Sequence, residues 1–279
     1  MNHQEKSFFL LIFAVVIWGA SFLPTKWVLN YINSYELLFY RFLLASIVFF
    51  FLVKNDILKH YKNTYLYGLI TGFCMAFAFI FQTQALSFTQ SSNVAFLTGL
   101  EGIIAPFLCF FISKAKLSFK IFFLALLACF GMFLFSDANF DNFGKGEYLA
   151  IICAVFFALL VALNDKFLKS NDLNTFIFFQ FVGSTIMYLL SALIFADLSL
   201  TPILNSKVFI LILVSALIFT IFCFFAQNYA QKHLHPSKVA LILLLEPISA
   251  GILGSFYGEV FTILQLLGAG LILIALAFS

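Results

Sequence analysis

Long runs of apolar residues alternate with short polar gaps along the whole chain. A membrane-crossing helix needs roughly 17–25 predominantly apolar residues to span about 30 Å of hydrocarbon. Ten stretches fit: 7–29, 35–53, 65–86, 91–113, 119–136, 147–168, 174–196, 207–230, 237–257 and 262–278. The runs are continuous and lack the period-two alternation of barrel strands, so the pattern predicts helices. The gaps are too short to hold a soluble domain. The first stretch is too long for the apolar part of a leader peptide and has no small-residue cleavage site, so it is expected to remain a helix. The fold class expected is an all-α polytopic membrane protein with ten transmembrane helices.

Composition narrows this further. Of 279 residues, 63% are hydrophobic and 10% charged, against about 25% charged in an ordinary soluble domain. The mean hydropathy is +1.09. Such a chain cannot clothe a soluble globule in charge, and it is far from the low-hydrophobicity signature of disorder. The 42 phenylalanines suit a surface facing lipid. The net charge of +3 comes with no dense basic patch, so a nucleic-acid partner is not expected.

The position of the positive charges sets an orientation. With the N-terminus in the cytoplasm, that side holds Lys6, Lys54, Lys59, Lys62, Lys114, Lys116, Lys120, Lys166, Lys169, Lys232 and Lys238, 11 of the 15 basic residues. The opposite side holds only Lys145 and Lys207, together with Glu36, Asp137, Asp141, Glu147, Asp197 and Glu259. The positive-inside rule then predicts both termini in the cytoplasm and, for a bacterial-type cell, the inner membrane. All five cysteines (Cys74, Cys109, Cys129, Cys153, Cys223) fall inside spans, with no zinc-ligand or redox spacing, and read as packing residues.

The chain is built twice. At a constant offset of 145, Gln82 aligns with Gln227, Ala85 with Ala230, Ser92 with Ser237, Val94 with Val239, Ala95 with Ala240 and Glu101 with Glu246. At an offset of 140, Ala14, Leu23 and Lys26 align with Ala154, Leu163 and Lys166. Two repeats are expected, residues 1–140 and 141–279, each of five spans. Five is odd, so the second repeat enters the membrane in the opposite sense. Inverted repeats of this kind underlie many secondary transporters.

Several motifs carry a resemblance. Trp18-Gly19-Ala20-Ser21-Phe22, Arg41 in RFLLAS, SSNVAFLTGLE in the fourth span and LEPISAGILGSFYGE from Leu245 to Glu259, followed by QLLG, occur in order. Together they resemble the EamA-type transporters of the drug/metabolite transporter superfamily over nearly the whole chain. The resemblance implies a bundle of two inverted five-helix repeats that moves small organic metabolites. Two departures stand out: Gly102 replaces the proline usual after the first-repeat glutamate, which puts a kink there in question, and Ala158 stands opposite Trp18 in the second repeat.

Glu101 and Glu246 are the most informative pair. Both lie near mid-membrane, where a charge costs about 2.5–3.5 kcal/mol on insertion scales. They read either as cavity carboxylates that bind a cationic group or carry a coupling proton, or as carboxyls bonded to a broken backbone beside Pro247. Arg41 reads as a contact to a substrate carboxylate, or as a partner of Glu36 or of backbone carbonyls. Lys26 can snorkel to the interface. Trp18 is too deep for the interfacial aromatic belt and reads as a cavity wall or a packing residue. Ala150, Ala154, Ala158 and Ala162 form a packing ladder, with Asn164 at its end as a substrate or surface contact; Ala250, Gly254 and Gly258 form a second ladder. Gln82, Gln84 and Asn93 are expected at one mouth, and Gln227, Asn228 and Tyr229 at the other, as gate or substrate contacts or as helix-end satisfiers.

The substrate-contact candidates are therefore Trp18, Gln82, Glu101, Asn164, Tyr229 and Glu246, with Glu246 and Glu101 as coupling candidates. No metal or other cofactor is expected. No Walker motif, HExxH or GxSxG occurs, and His3, His60, His233 and His235 all lie outside the spans. A secondary transporter that exports or exchanges small metabolites such as amino acids is the leading expectation; a membrane enzyme or structural subunit on the same fold is the alternative.

Overall fold

The computed structural model describes residues 2–116, 119–135, 144–196, 198, 204–255 and 262–278. Among these residues every regular element is helical. The elements are α1 (His3–Val28), α2 (Ser34–Phe88), α3 (Ser91–Thr98), α4 (Glu101–Ile112), α5 (Phe119–Phe135), α6 (Lys145–Leu168), α7 (Leu173–Phe195), α8 (Ser206–Val214), a π-helical segment (Ser215–Phe222), α9 (Cys223–His233), α10 (Pro236–Leu243), α11 (Leu245–Ser255) and α12 (Ile263–Ala277). Asp137, Asp141, Asp197, Glu259, Gly258 and the junction between the two expected repeats lie outside the described residues.

Polar caps start the helices where the hydrophobic pattern resumes. Asn2 and Glu5 form a capping box at α1, and Thr262 and Gln265 form another at α12. Asn33, Asp172 and Asn205 each accept a backbone N–H bond at the start of α2, α7 and α8. These side chains satisfy amide groups that a helix leaves open at its first turn.

The 55-residue stretch α2 doubles back on itself. In a straight helix Ser34 and Gln84 would stand about 75 Å apart. Instead Gln84 Nε2 donates to Ser34 Oγ at 2.6 Å, and the Phe42 and Phe79 rings are 5.5 Å apart. Both contacts centre on the polar run that carries Lys54, Lys59, His60 and Lys62. The stretch is two antiparallel arms, one for each of the second and third apolar runs.

Three of the expected spans are interrupted. The fourth breaks between α3 and α4, where backbone bonds tighten: Leu100 N–H to Leu97 O, Gly102 N–H to Gly99 O and Ile103 N–H to Leu100 O. The ninth breaks at Leu244, between α10 and α11. The eighth widens into the π-helical segment. The break before Glu101 thus exists without a proline at position 102.

The packed interior is rich in alanine, phenylalanine and leucine. Ala150, Ala154, Ala158 and Ala162 are all fully buried, as the packing ladder requires. Outward faces carry exposed Phe9, Phe13, Phe51, Leu52, Phe111, Phe123, Leu193 and Ile194. Water would not tolerate so large an apolar surface, whereas lipid does. Seven of the described helical stretches are long and apolar enough to cross a membrane, and two shorter apolar ones accompany them.

Candidate functional site

Two helix breaks and one helix widening converge on a cleft in mid-bundle. It holds about 550 Å³ of empty space, mouth included. Its walls come from both halves of the chain: Trp18, Ser21, Phe22 and Thr25 of α1; Arg41, Phe79, Gln82, Thr83 and Leu86 of α2; Glu101 of α4; Phe157 of α6; Phe224 and Gln227 of α9; and Glu246 of α11. The α1 set and the second-arm set of α2 follow helical spacing, so each is one face of one helix. Thr25 and Leu86 extend the lining toward the end of the bundle that carries Lys26 and Thr89.

Close backbone approach assembles these walls. A Cβ on Gly19 would lie 2.7 Å from the Glu246 carbonyl oxygen and 2.8 Å from the Ala250 nitrogen. Only glycine lets α1 sit so near α11, and this contact brings Trp18 and Glu246 to one site. Gly102 does the same on the other side, where a Cβ would lie 2.7 Å from the Ala240 carbonyl oxygen.

The π-helical segment presents an acceptor in the cleft wall. Trp18 Nε1 donates to Phe219 O at 2.8 Å, and Arg41 Nη2 reaches the same carbonyl at 3.3 Å. Arg41 Nε donates to Thr220 Oγ1 at 2.6 Å, which in turn donates to Ser215 O at 2.9 Å. The guanidinium also lies 5.0 Å from the Phe79 ring centroid. Two of its donor positions are therefore used by protein, and a carbonyl contact is what the sequence left open for Arg41.

The carboxyls are arranged differently. Glu101 and Glu246 are 5% and 9% exposed and lie in the first turns of α4 and α11. Both line the cleft. A helix N-terminus carries partial positive charge, which favours a carboxylate there. Neither side chain has a hydrogen-bond or ion-pair partner among the described residues. Gln227 is 4% exposed, and its Oε1 has no hydrogen-bond partner.

The repeat is visible in the cleft. Phe79 and Phe224, Gln82 and Gln227, and Glu101 and Glu246 are related by the offset of 145, and all six line it. Gln82 and Gln227, expected at opposite mouths, instead share this space. The next residues along the same faces differ. Thr83 and Leu86 line the cleft, while their counterparts Asn228 and Gln231 sit in a buried amide network. Asn164 Nδ2 donates to Asn228 Oδ1 at 3.1 Å and to Gln231 Oε1 at 2.9 Å. Gln180 Nε2 donates to Asn164 Oδ1 at 3.2 Å, and Asn228 Nδ2 donates to Gln180 Oε1 at 3.1 Å and to Phe224 O at 2.8 Å. Gln231 Nε2 reaches Val161 O at 3.3 Å. The first-repeat residues line the cleft, and their repeat-related counterparts are tied to one another.

Of the residues singled out in the sequence, Trp18, Gln82, Glu101 and Glu246 come together in the cleft. Asn164 lies in the amide network, and Tyr229 stands outside both. The Tyr229 hydroxyl is 3.0 Å from His3 Nδ1, and its ring packs on His233 at 4.4 Å. Successive residues on a helix point about 100° apart, so Asn228 turning inward sends Tyr229 to a different face. Gln84 and Asn93 bond to Ser34 and Thr89 at helix ends. Lys26 Nζ donates to Thr89 O at 2.7 Å. Gln180 and Gln231 escaped the sequence reading, although a buried amide in an apolar run is itself a signal. So did Asp165, buried with Lys169 Nζ 2.8 Å from its Oδ1, close enough for an ion pair but not aligned as a hydrogen bond. No group of three or more His, Cys, Asp or Glu side chains among the described residues is placed to hold a metal ion.

Comparisons with known proteins point the same way. The sequence profile of the EamA-like transporter family matches residues 6–137 and again 144–279. Two uncharacterized transporters of Archaeoglobus fulgidus are similar. One is 27% identical over 95% of this chain and 82% of its own length; the other is 23% identical over 91% and 89%. A solved structure titled only as the crystal structure of a protein superposes with a TM-score of 0.78 over 99% of this chain and 96% of its own, at 13% identity, a likeness of fold alone. With two copies of the family pattern covering nearly all of its length, the chain belongs to the EamA-like transporter family and is a multi-pass membrane transporter.

Proposed function

We propose that the chain is a secondary transporter that exports or exchanges small organic metabolites, such as amino acids or related amphiphiles, across an inner membrane. The doubled-back α2, counted as two arms, supports ten spans in two inverted five-helix repeats, residues 1–140 and 141–279. The charge asymmetry of the loops supports cytoplasmic termini. The cleft then opens away from the cytoplasm, and the amide network closes the cytoplasmic half.

One observation carries the reading. Three residue pairs related by the repeat line a single cleft, while the next pairs along the same faces are open on one side and tied on the other. Two similar halves that exchange these roles would expose one site to each side in turn. Trp18, Gln82, Glu101 and Glu246 contact the solute in this conformation. Asn164, now in the closed half, meets it only after the exchange. Glu246 and Glu101 are the groups for coupling, since both line the cleft with no partner among the described residues and are free to take one up. Solute flux in proteoliposomes tests the proposal. Counterflow above that of empty vesicles is expected; a chain that binds solute without moving it would favour a membrane enzyme or structural subunit instead.

A further inference from the structure

The cleft is unbalanced in hydrogen bonding. It holds two carboxyls and one guanidinium. The guanidinium is engaged by Phe219 O, Thr220 Oγ1 and the Phe79 ring. The carboxyls are engaged by nothing in the protein among the described residues. Buried charges need a partner, and buried polar atoms need a hydrogen bond. A third acceptor, Gln227 Oε1, is buried in the same wall without a donor. What the site lacks is a hydrogen-bond donor, and beside two carboxyls a cationic donor fits best.

Around these acceptors the walls are aromatic. Trp18 and Phe224 meet edge to face at 5.1 Å, and Phe79 lies 5.8 Å from Phe224 and 5.1 Å from Phe157. Ring faces attract cations and apolar bodies alike. We propose that the cleft binds a monocationic amine with an apolar or aromatic body, its ammonium group set between Glu101 and Glu246 and donating to Gln227 Oε1. This deepens the transport reading by naming a solute class. A zwitterion or an anion would bring a carboxylate beside two carboxyls, while the guanidinium is already engaged by the protein.

The test uses the purified full-length chain in detergent and four probes that share one body: phenethylamine, phenylalanine, 3-phenylpropionate and 2-phenylethanol. Thermal unfolding is followed as each is titrated at constant ionic strength and neutral pH. Phenethylamine is expected to stabilise the protein with an apparent Kd about tenfold or more below those of the other three, a gap of at least about 1.4 kcal/mol. Its effect should vanish in the E101Q/E246Q double variant and weaken in Q227L, with each variant's unliganded melting checked first. Equal or greater stabilisation by the zwitterion, anion or alcohol overturns the assignment, as does the absence of any shift with all four probes. If the double variant does not fold, the ranking of the four probes on the unaltered chain decides alone. Flux separates this inference from the transport reading: an amine that binds but is not moved refutes transport and leaves the ligand class standing. An anion moved through the cleft does the reverse.

Discussion

Replacing Asn228 with leucine tests the amide network at one of the two residues that make three bonds in it. The side chain donates to Gln180 Oε1 and Phe224 O and accepts from Asn164 Nδ2. Leucine has nearly the same size, so packing changes little and the loss is one of hydrogen bonding. Asn164 Nδ2 keeps Gln231 Oε1 at 2.9 Å. Gln180 Oε1, fully buried with its residue, loses its only partner among the described residues. Leaving one buried acceptor unsatisfied costs about 1–3 kcal/mol, a factor of roughly 5 to 150 in the equilibrium. Asn93→Leu is the control, because Asn93 lies at a helix end, where its bond to Thr89 Oγ1 is long, at 3.4 Å. Reversible unfolding in mixed detergent micelles measures both. Asn228→Leu should lose at least about 1 kcal/mol more than Asn93→Leu. Equal losses would show that the network does not hold α6, α7 and α9 together.

Three other outcomes are expected. Trp18→Ala should lower transport more than Phe22→Ala at equal expression, because only Trp18 also ties α1 to the π-helical segment through Phe219 O; Trp18→Phe should recover part of the loss, and equal loss at both positions would indicate plain packing. Glu246→Gln should depress initial transport rates more than Glu101→Gln, because Pro247 supplies no N–H and frees the carbonyl one turn back, so the helix there can open; the opposite ranking would refute this. His235 caps α10 through Ser237 N–H at 3.3 Å, and partial burial, ahead of the opposing influences of Asp165 and Lys169, pushes its pKa below 6.5. The unfolded chain therefore takes up a proton before the folded one, and stability should fall as pH drops through about 6.5. Asn is an equally good cap without a titration, so His235→Asn should flatten that slope relative to the unaltered chain, and an unchanged slope would assign the effect to another group.

Much of the architecture is legible in the hydrophobic pattern because a bilayer imposes one length and one element type on each span. The repeat is legible because Gln82, Glu101 and their partners keep a constant offset. The interruptions are harder to read. The break before Glu101 forms at Gly99 and Leu100, in a sequence with no proline until Pro106, and the π-helical segment lies in SALIFTIF, where only Ser215 and Thr220 interrupt the apolar run. Both depend on contacts made by the other half of the chain: Trp18 and Arg41 take up the carbonyl that the widened turn exposes. The sequence also places Gln82 and Gln227 at opposite mouths, since inverted symmetry separates the ends of their helices. It does not reveal that their side chains point back to the shared axis. Asn228 and Tyr229 are neighbours in sequence, and only packing decides which one turns inward.

The central claim is that solute passes through this cleft. Ser21 lies on its wall, is small and makes no side-chain hydrogen bond among the described residues. The direct measurement is flux through Ser21→Cys in proteoliposomes before and after reaction with a bulky thiol reagent, with the unaltered chain as control for its five native cysteines. The account predicts near-normal flux before reaction, loss after it, and protection when phenethylamine is present during labelling. Undiminished flux through fully labelled protein would contradict the account and place the pathway elsewhere.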